Sequence, residues 1–150
     1  MALKKRHMLS YLAGIFDGEG YVGIVKISAR QAKRPNPNFR AHCAVQMSER
    51  IIPQLFQNVF GGTVYRYKLR NPNYKTLHKW VVRDCQCIDF LKELMPYLII
   101  KYPEAEIVLH FAENKTNNKF CKAKPLTEEE LALREAEYIL CQSLKKEQHA

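Results

Sequence analysis

Leu12-Ala13-Gly14-Ile15-Phe16-Asp17-Gly18-Glu19-Gly20 is the stretch on which the reading of this chain turns. It closes an apolar run, MLSYLAGIFD at 8–17, that has no strand-like alternation and reads as a helix. Gly14 and Gly18 stand four residues apart, with Ala13 beside them. On a helix that spacing makes a face of small residues, which lets a second backbone come close. The glycines at 18 and 20 predict a left-handed exit from the helix. Glu19 follows at the helix end, and Asp17 is the only other carboxylate in the first 48 residues. Taken alone, an acid in this place is an incidental residue at the foot of a core helix.

The charge around the string changes its meaning. The chain has 150 residues and a net charge of +9, a length that suits one domain with its own core. The stretch 127–150 is acidic, so the remainder carries the whole positive excess. Residues 20–83 hold a single carboxylate, Glu49, against twelve bases. A surface so nearly free of acid suits a phosphate-rich partner. No apolar run is long enough to span a bilayer, and the opening residues do not read as a secretory signal. Five scattered cysteines without a CxxC pair fit a reducing compartment rather than a disulfide framework or a zinc site.

Outward from the string, 21–30 (YVGIVKISAR) and 38–47 (NFRAHCAVQM) read as strands joined by QAKRPNP. Ser48 is expected to cap a helix over 49–60 that Gly61-Gly62 stop. Strands are expected at 63–69 and 76–83, and helices at about 85–94 and 103–114. A polar connector fills 115–126, and Thr127-Glu-Glu-Glu130 is a capping box that opens a helix to about Lys146. The expected fold is therefore α+β, αββαββα with a tail helix. Its four-stranded antiparallel sheet carries helices on one face and a basic saddle on the other. A two-stranded ribbon fits a major groove. The register of the first strand stays open, because neither Val22, Ile24, Lys26, Ser28, Arg30 nor Tyr21, Gly23, Val25, Ile27, Ala29 is a wholly apolar set.

On such a scaffold, a lone carboxylate at the foot of a self-packing helix points to a hard divalent ion. Two chains paired through that helix would bring two Glu19 side chains together, an arrangement suited to metal-assisted phosphodiester hydrolysis. The nine-residue string closely resembles the signature of the LAGLIDADG homing endonucleases, and the element order extends the resemblance over roughly residues 8–115. One copy of the motif resembles the single-motif, homodimeric group. The resemblance implies a site-specific double-strand DNA endonuclease acting in intron homing on a long, nearly palindromic target. It implies Mg²⁺ as cofactor, with Mn²⁺ or Ca²⁺ able to substitute for binding. It implies a homodimer interface built from Leu12, Ala13, Gly14, Phe16 and Asp17. The metal ligands would be Glu19 and the carbonyl of Gly18. Gln46 would face a water near the metal, Arg50 would lie close by, and Lys101 in LMPYLIIKY would steady charge on the phosphate.

Polarity and the resemblance together give the expected DNA contacts. Arg30, Lys33 and Arg34 lie at a hairpin tip. Arg40, His42, Arg66, Tyr67, Lys68, Arg70, Lys75, Lys79 and Arg83 lie on or beside the strands, and Lys26 and Ser28 on the first. The family's register would place Val25 and Ile27 on the DNA side and Lys26 opposite. Trp80 is expected in the core, and Asp17 to serve helix-end structure as well as the interface. Two rival readings share the scaffold, an RNA-binding maturase that assists intron splicing and a non-catalytic DNA-binding regulator. An intracellular protein is expected, in cytoplasm or organelle.

Overall fold

A computed structural model describes residues 2–117 and 126–148. The chain runs through helix α1 (Ala2–Glu19), strand β1 (Gly20–Ile27), the short helix α2 (Ala29–Ala32) and strand β2 (Asn38–Met47). Helix α3 (Ile51–Phe60), strands β3 (Thr63–Tyr67) and β4 (Leu77–Arg83) and helix α4 (Cys85–Leu94) follow. A 3₁₀ turn (Met95–Tyr97), helix α5 (Tyr102–Asn117) and helix α6 (Glu128–Gln148) complete it. The four strands form one antiparallel sheet in the order β1-β2-β4-β3. The expected α+β architecture is the one observed, and most of the expected 115–126 connector lies outside the described residues.

Side-chain alternation sorts the sheet into two faces. Val22 and Ile24 of β1, Phe39, Ala41, Cys43 and Val45 of β2, and Trp80 and Val82 of β4 are buried with the helices. Five rings tie that layer together. Trp80 lies 5.0 Å from Phe56 and 4.9 Å from Phe90, and Phe90 lies 5.2 Å from Phe16 and 4.8 Å from Phe60. These rings come from α1, α3, α4 and β4, so the aromatic cluster fixes the end of α1 against the sheet. The indole N–H of Trp80 donates to the Gly61 carbonyl at 2.7 Å, which satisfies the one polar atom of that ring.

Three local expectations give way. The helix end needs no left-handed exit. α1 passes into β1 at Gly20 directly, and the positive-φ glycines are Gly61 and Gly62. Gly20 is required for space instead: a Cβ there would stand 2.4 Å from the Phe16 ring. The first strand ends at Ile27 rather than at 30, because Ser28 and Gln31 form a capping box that starts α2. Ser48 does not cap α3. Arg50 occupies the cap position, without a side-chain cap bond. The capping box at Thr127 and Glu130 does form, with reciprocal bonds of 3.1 and 3.2 Å.

Candidate active site and DNA-facing surface

Phe16 is fully buried, and Glu19 lies three residues beyond it, at the last position of α1. The core therefore sets where this acid emerges. Glu19 is exposed and opens onto a concavity of about 360 Å³ on the uncovered face of the sheet. Tyr21 and Val25 of β1, His42, Ala44 and Gln46 of β2, and Lys79 of β4 line the rest of it. Register explains the gathering: Gly20 pairs with Val45, which sets Glu19 beside Gln46, and Gln46 in turn pairs with Lys79. The structure thus brings Glu19 and Gln46 together, 27 positions apart in sequence.

Asp17 builds the opposite shoulder. Its carboxylate accepts the backbone N–H of Ile99 at 2.9 Å and that of Lys101 at 3.0 Å. Lys101 in turn donates its Nζ to the Asp17 carbonyl at 2.7 Å. The last carbonyls of a helix lack intrahelical donors, so Lys101 satisfies one of them. Its cation is held two residues from Glu19 in the chain. The helix-end role expected for Asp17 is the one observed.

Arg50 is placed elsewhere. It lines a separate concavity of about 580 Å³ with Gln54, Gln57, Val64, Arg66, Thr76 and His78. Arg66 pairs with His78 on the helix-side parity of β3 and β4, so its strand register turns it away from the open face. Lys26 is likewise corrected. It shares its parity with Val22 and Ile24, and its Nζ meets both Glu135 oxygens of α6 at 2.7 and 2.8 Å. Ser28 spends its hydroxyl capping α2. On the open face, Arg40, His42, Lys79 and Arg83 remain, and Tyr67 follows the same parity as Tyr65. Arg83 reaches the Tyr65 hydroxyl at 3.5 Å, and the Tyr65 phenol pKa is lowered by that contact. Arg30, Lys33 and Arg34 are exposed on and beside α2, and Lys68, Arg70 and Lys75 in the β3–β4 connection. The pKa of His42 falls from 6.5 to about 4, chiefly through burial, with Lys79 and Arg83 adding to it.

The interface expectation for α1 is corrected in detail. Leu12, Ala13 and Phe16 are fully buried inside this one chain, so their side chains cannot meet a partner. The outward stripe is Tyr11, Gly14 and Gly18, on the side of the helix opposite those three. A Cβ at Gly14 or Gly18 would meet nothing within 4 Å. Among the described residues nothing asks for glycine there. Sequence reasoning also passed over Tyr21 as a wall of the site. Its signal was its place two residues after Glu19, on the parity of Val25.

The architecture has solved counterparts. I-CvuI, a homing endonuclease crystallised with the I-CreI target in 2 mM Mg, matches at a TM-score of 0.75 and 21% identity, over 95% of this chain and 84% of that one. This is the fold of the LAGLIDADG homing endonucleases. The archaeal intron-encoded homing endonuclease I-Vdi141I, in complex with DNA, matches at 0.71 and 15%, over 95% of this chain and 84% of that one. The LAGLIDADG homing endonuclease I-GzeII, with its DNA target, matches at 0.64 and 15%, over 89% of this chain but 43% of that one. No protein-family profile and no curated protein sequence matches the chain. No helix among the described residues is long and apolar enough to cross a membrane.

Proposed function

We propose that the protein is a homodimeric, Mg²⁺-dependent endonuclease that cuts both strands of a specific DNA duplex. The observation that carries this reading is the opening of Glu19 onto the same concavity as Gln46 and Lys79, on the uncovered face of a LAGLIDADG-fold sheet. An exposed acid facing a phosphate-binding surface opposes binding unless a cation stands between them. The DNA complexes of I-CvuI, I-Vdi141I and I-GzeII support duplex DNA as the partner.

The donor set fits a hard divalent ion. The Glu19 carboxylate and the Gly18 carbonyl, at the open end of α1, are oxygen donors of the kind Mg²⁺ selects. A bound Mg²⁺ would supply charge neutralisation at the scissile phosphate and ease ionisation of water. Glu19 would hold and orient that ion. Gln46, within the same concavity, can hydrogen-bond an attacking water and fix its approach. Lys79, Arg83 and Arg40 would hold backbone phosphates. Lys101 would keep a positive charge beside the helix end, where negative charge builds during transfer.

Two chains complete the site in this reading. The outward stripe of Tyr11, Gly14 and Gly18 gives α1 a flat face with room for a second backbone. Ile99 and Ile100, 84% and 56% exposed, flank the Asp17 shoulder and extend that face with apolar surface. The described α1 carries the motif, and its outward stripe is the face left for a second copy. Gly14→Leu is expected to leave the melting temperature of the protomer unchanged and to halve the sedimenting mass. A dimer that survives this change refutes pairing through α1.

The decisive test is cutting. The duplex made by joining the two flanks of the gene, together with a pool of randomised duplexes, is incubated with the protein in Mg²⁺, and the products are sequenced. Both strands of one sequence are expected to be cut. Glu19→Gln is expected to abolish cutting while duplex binding in Ca²⁺ persists. Equal cutting by Glu19→Gln refutes the assignment. Binding of structured RNA without any cutting of DNA would favour a splicing cofactor, and tight DNA binding without cutting a regulator.

A further inference from the structure

α6 packs on α5 and along β1, the strand at one edge of the sheet. Its last turn carries Lys145 and Lys146. Cations there ordinarily stand in water and complement the helix dipole, and Lys146 is exposed in that way. Lys145 is not. Its Nζ is buried with no hydrogen-bond acceptor among the described residues, and it lies 3.7 Å from the centroid of the Tyr21 ring. A Cβ on residue 23 would come within 2.6 Å of Lys145 Nζ and 2.6 Å of the Tyr21 hydroxyl oxygen. Glycine at 23 is therefore what admits the ammonium. Gly23 pairs with His42, and the Tyr21 and His42 rings are 5.7 Å apart. Both rings line the Glu19 concavity. The same end of α6 makes a second contact: Gln148 Nε2 donates to the Ile100 carbonyl at 3.1 Å, one residue before Lys101.

An ammonium taken out of water is costly unless something compensates it. Burial lowers the Lys145 pKa, and Cys141, the buried Glu104 carboxylate of α5 and Cys43 work against that shift, with the face of the Tyr21 ring completing the surroundings of the ammonium. The Tyr21 phenol stays neutral, since burial raises its pKa to about 12. Glu104 answers the charge from the helical layer, and the Tyr21 ring and Gly23 answer it from the wall of the concavity.

We propose that the last turn of α6 is a working part of the candidate active site, with Lys145 as a positioning residue that seats the Tyr21 ring and sets a fixed positive charge beside the wall formed by Tyr21 and His42. The proposal rests on the endonuclease reading above. Lys145 acts through Tyr21 and His42, and the Gln148 contact braces the segment that carries Lys101. Arginine does not replace it, because a guanidinium is larger than the space over Gly23.

The test uses the full chain with Lys145→Met, an uncharged side chain of similar length. Three quantities are read: thermal unfolding, the NMR titration of the His42 ring, and cutting of the duplex that the unsubstituted protein selects from the randomised pool. The midpoint of His42 is expected to rise, because a nearby positive charge is removed. Cutting is expected to fall about tenfold, through kcat rather than KM, as misplaced walls around a reacting centre do. Gly23→Ala crowds the same ammonium without altering α6 and is expected to lower cutting in the same way, while Lys145→Arg fails to restore it. Lys145→Met that cuts as fast as the unsubstituted protein, or that leaves His42 unmoved, overturns the proposal alone. An unsubstituted protein that neither binds nor cuts any duplex overturns the endonuclease reading and this proposal with it.

Discussion

The two faces of the sheet are made from the same four strands and obey opposite rules. The helix-side face is closed: Trp80, Phe56, Phe90 and Phe16 interlock, and each element contributes a ring that another element holds. The open face is an array of separate groups, Tyr21, His42, Gln46, Lys79 and Arg83, each placed by its strand position and few touching one another. Stability is concentrated on one side and chemistry on the other. The polar groups of the open face can therefore change with little cost to the fold, and the rings behind it cannot.

The largest effect should come from breaking the closed side. Trp80→Ala removes the centre of the ring cluster and the bond to the Gly61 carbonyl. It should cost about 3–5 kcal/mol, the range for large-to-small changes in a core. Urea denaturation measures this directly. A loss below about 1 kcal/mol would mean that the cavity collapses around another ring, and that the layer is less tightly fitted than its geometry implies.

A matched pair of lysines sharpens the contrast at intermediate size. Lys79 and Lys26 are both strand cations, on opposite faces. Lys79→Met should weaken duplex binding across sequences and reduce the salt dependence by about one unit of slope. Lys26→Met should leave binding and its salt slope unchanged. It should cost only about 0–1 kcal/mol of stability, as for a partly exposed ion pair with Glu135. Equal losses of binding from the two would show that the faces are not separated in the way the register places them.

This pair also marks where the sequence stops being legible. The motif helix, the bounds of β2 and α4, the capping box at Thr127 and the basic hairpins follow from local pattern, because caps, periodicity and turn residues are local causes. Lys26 is different. It occupies an inward parity because Glu135, 109 positions later, meets it there. The alternation in β1 therefore looks broken to any reading confined to that strand. Leu12, Ala13 and Phe16 belong to a motif that implies an interface, yet the helix has two faces, and these three take the inner one. Lys145 had no signal of its own: in sequence it is a second Lys at the end of an acidic helix, indistinguishable from Lys146. Glu19 stood out by its place at the foot of the motif helix, but Gln46 was legible only with the family resemblance, since their meeting depends on the pairing of β1 with β2 and on the ring cluster behind α1.

The smallest expected effect belongs to His42 and concerns pH. Its pKa is about 4 in the folded chain against 6.5 in the unfolded one, mainly because burial disfavours the charged ring. Between those values the unfolded chain binds a proton that the folded chain does not, so stability rises with pH across this interval. The contribution is complete above 6.5 and is lost as the pH falls towards 4. Half-burial and solvent screening keep it modest. His42→Gln should flatten that part of the stability profile, read as the difference in melting temperature between pH 7 and pH 4.5. It should leave the Trp80 cluster intact. A profile unchanged by the substitution would mean that the ring is charged within the folded state, and that the open face already supplies it with a counter-charge.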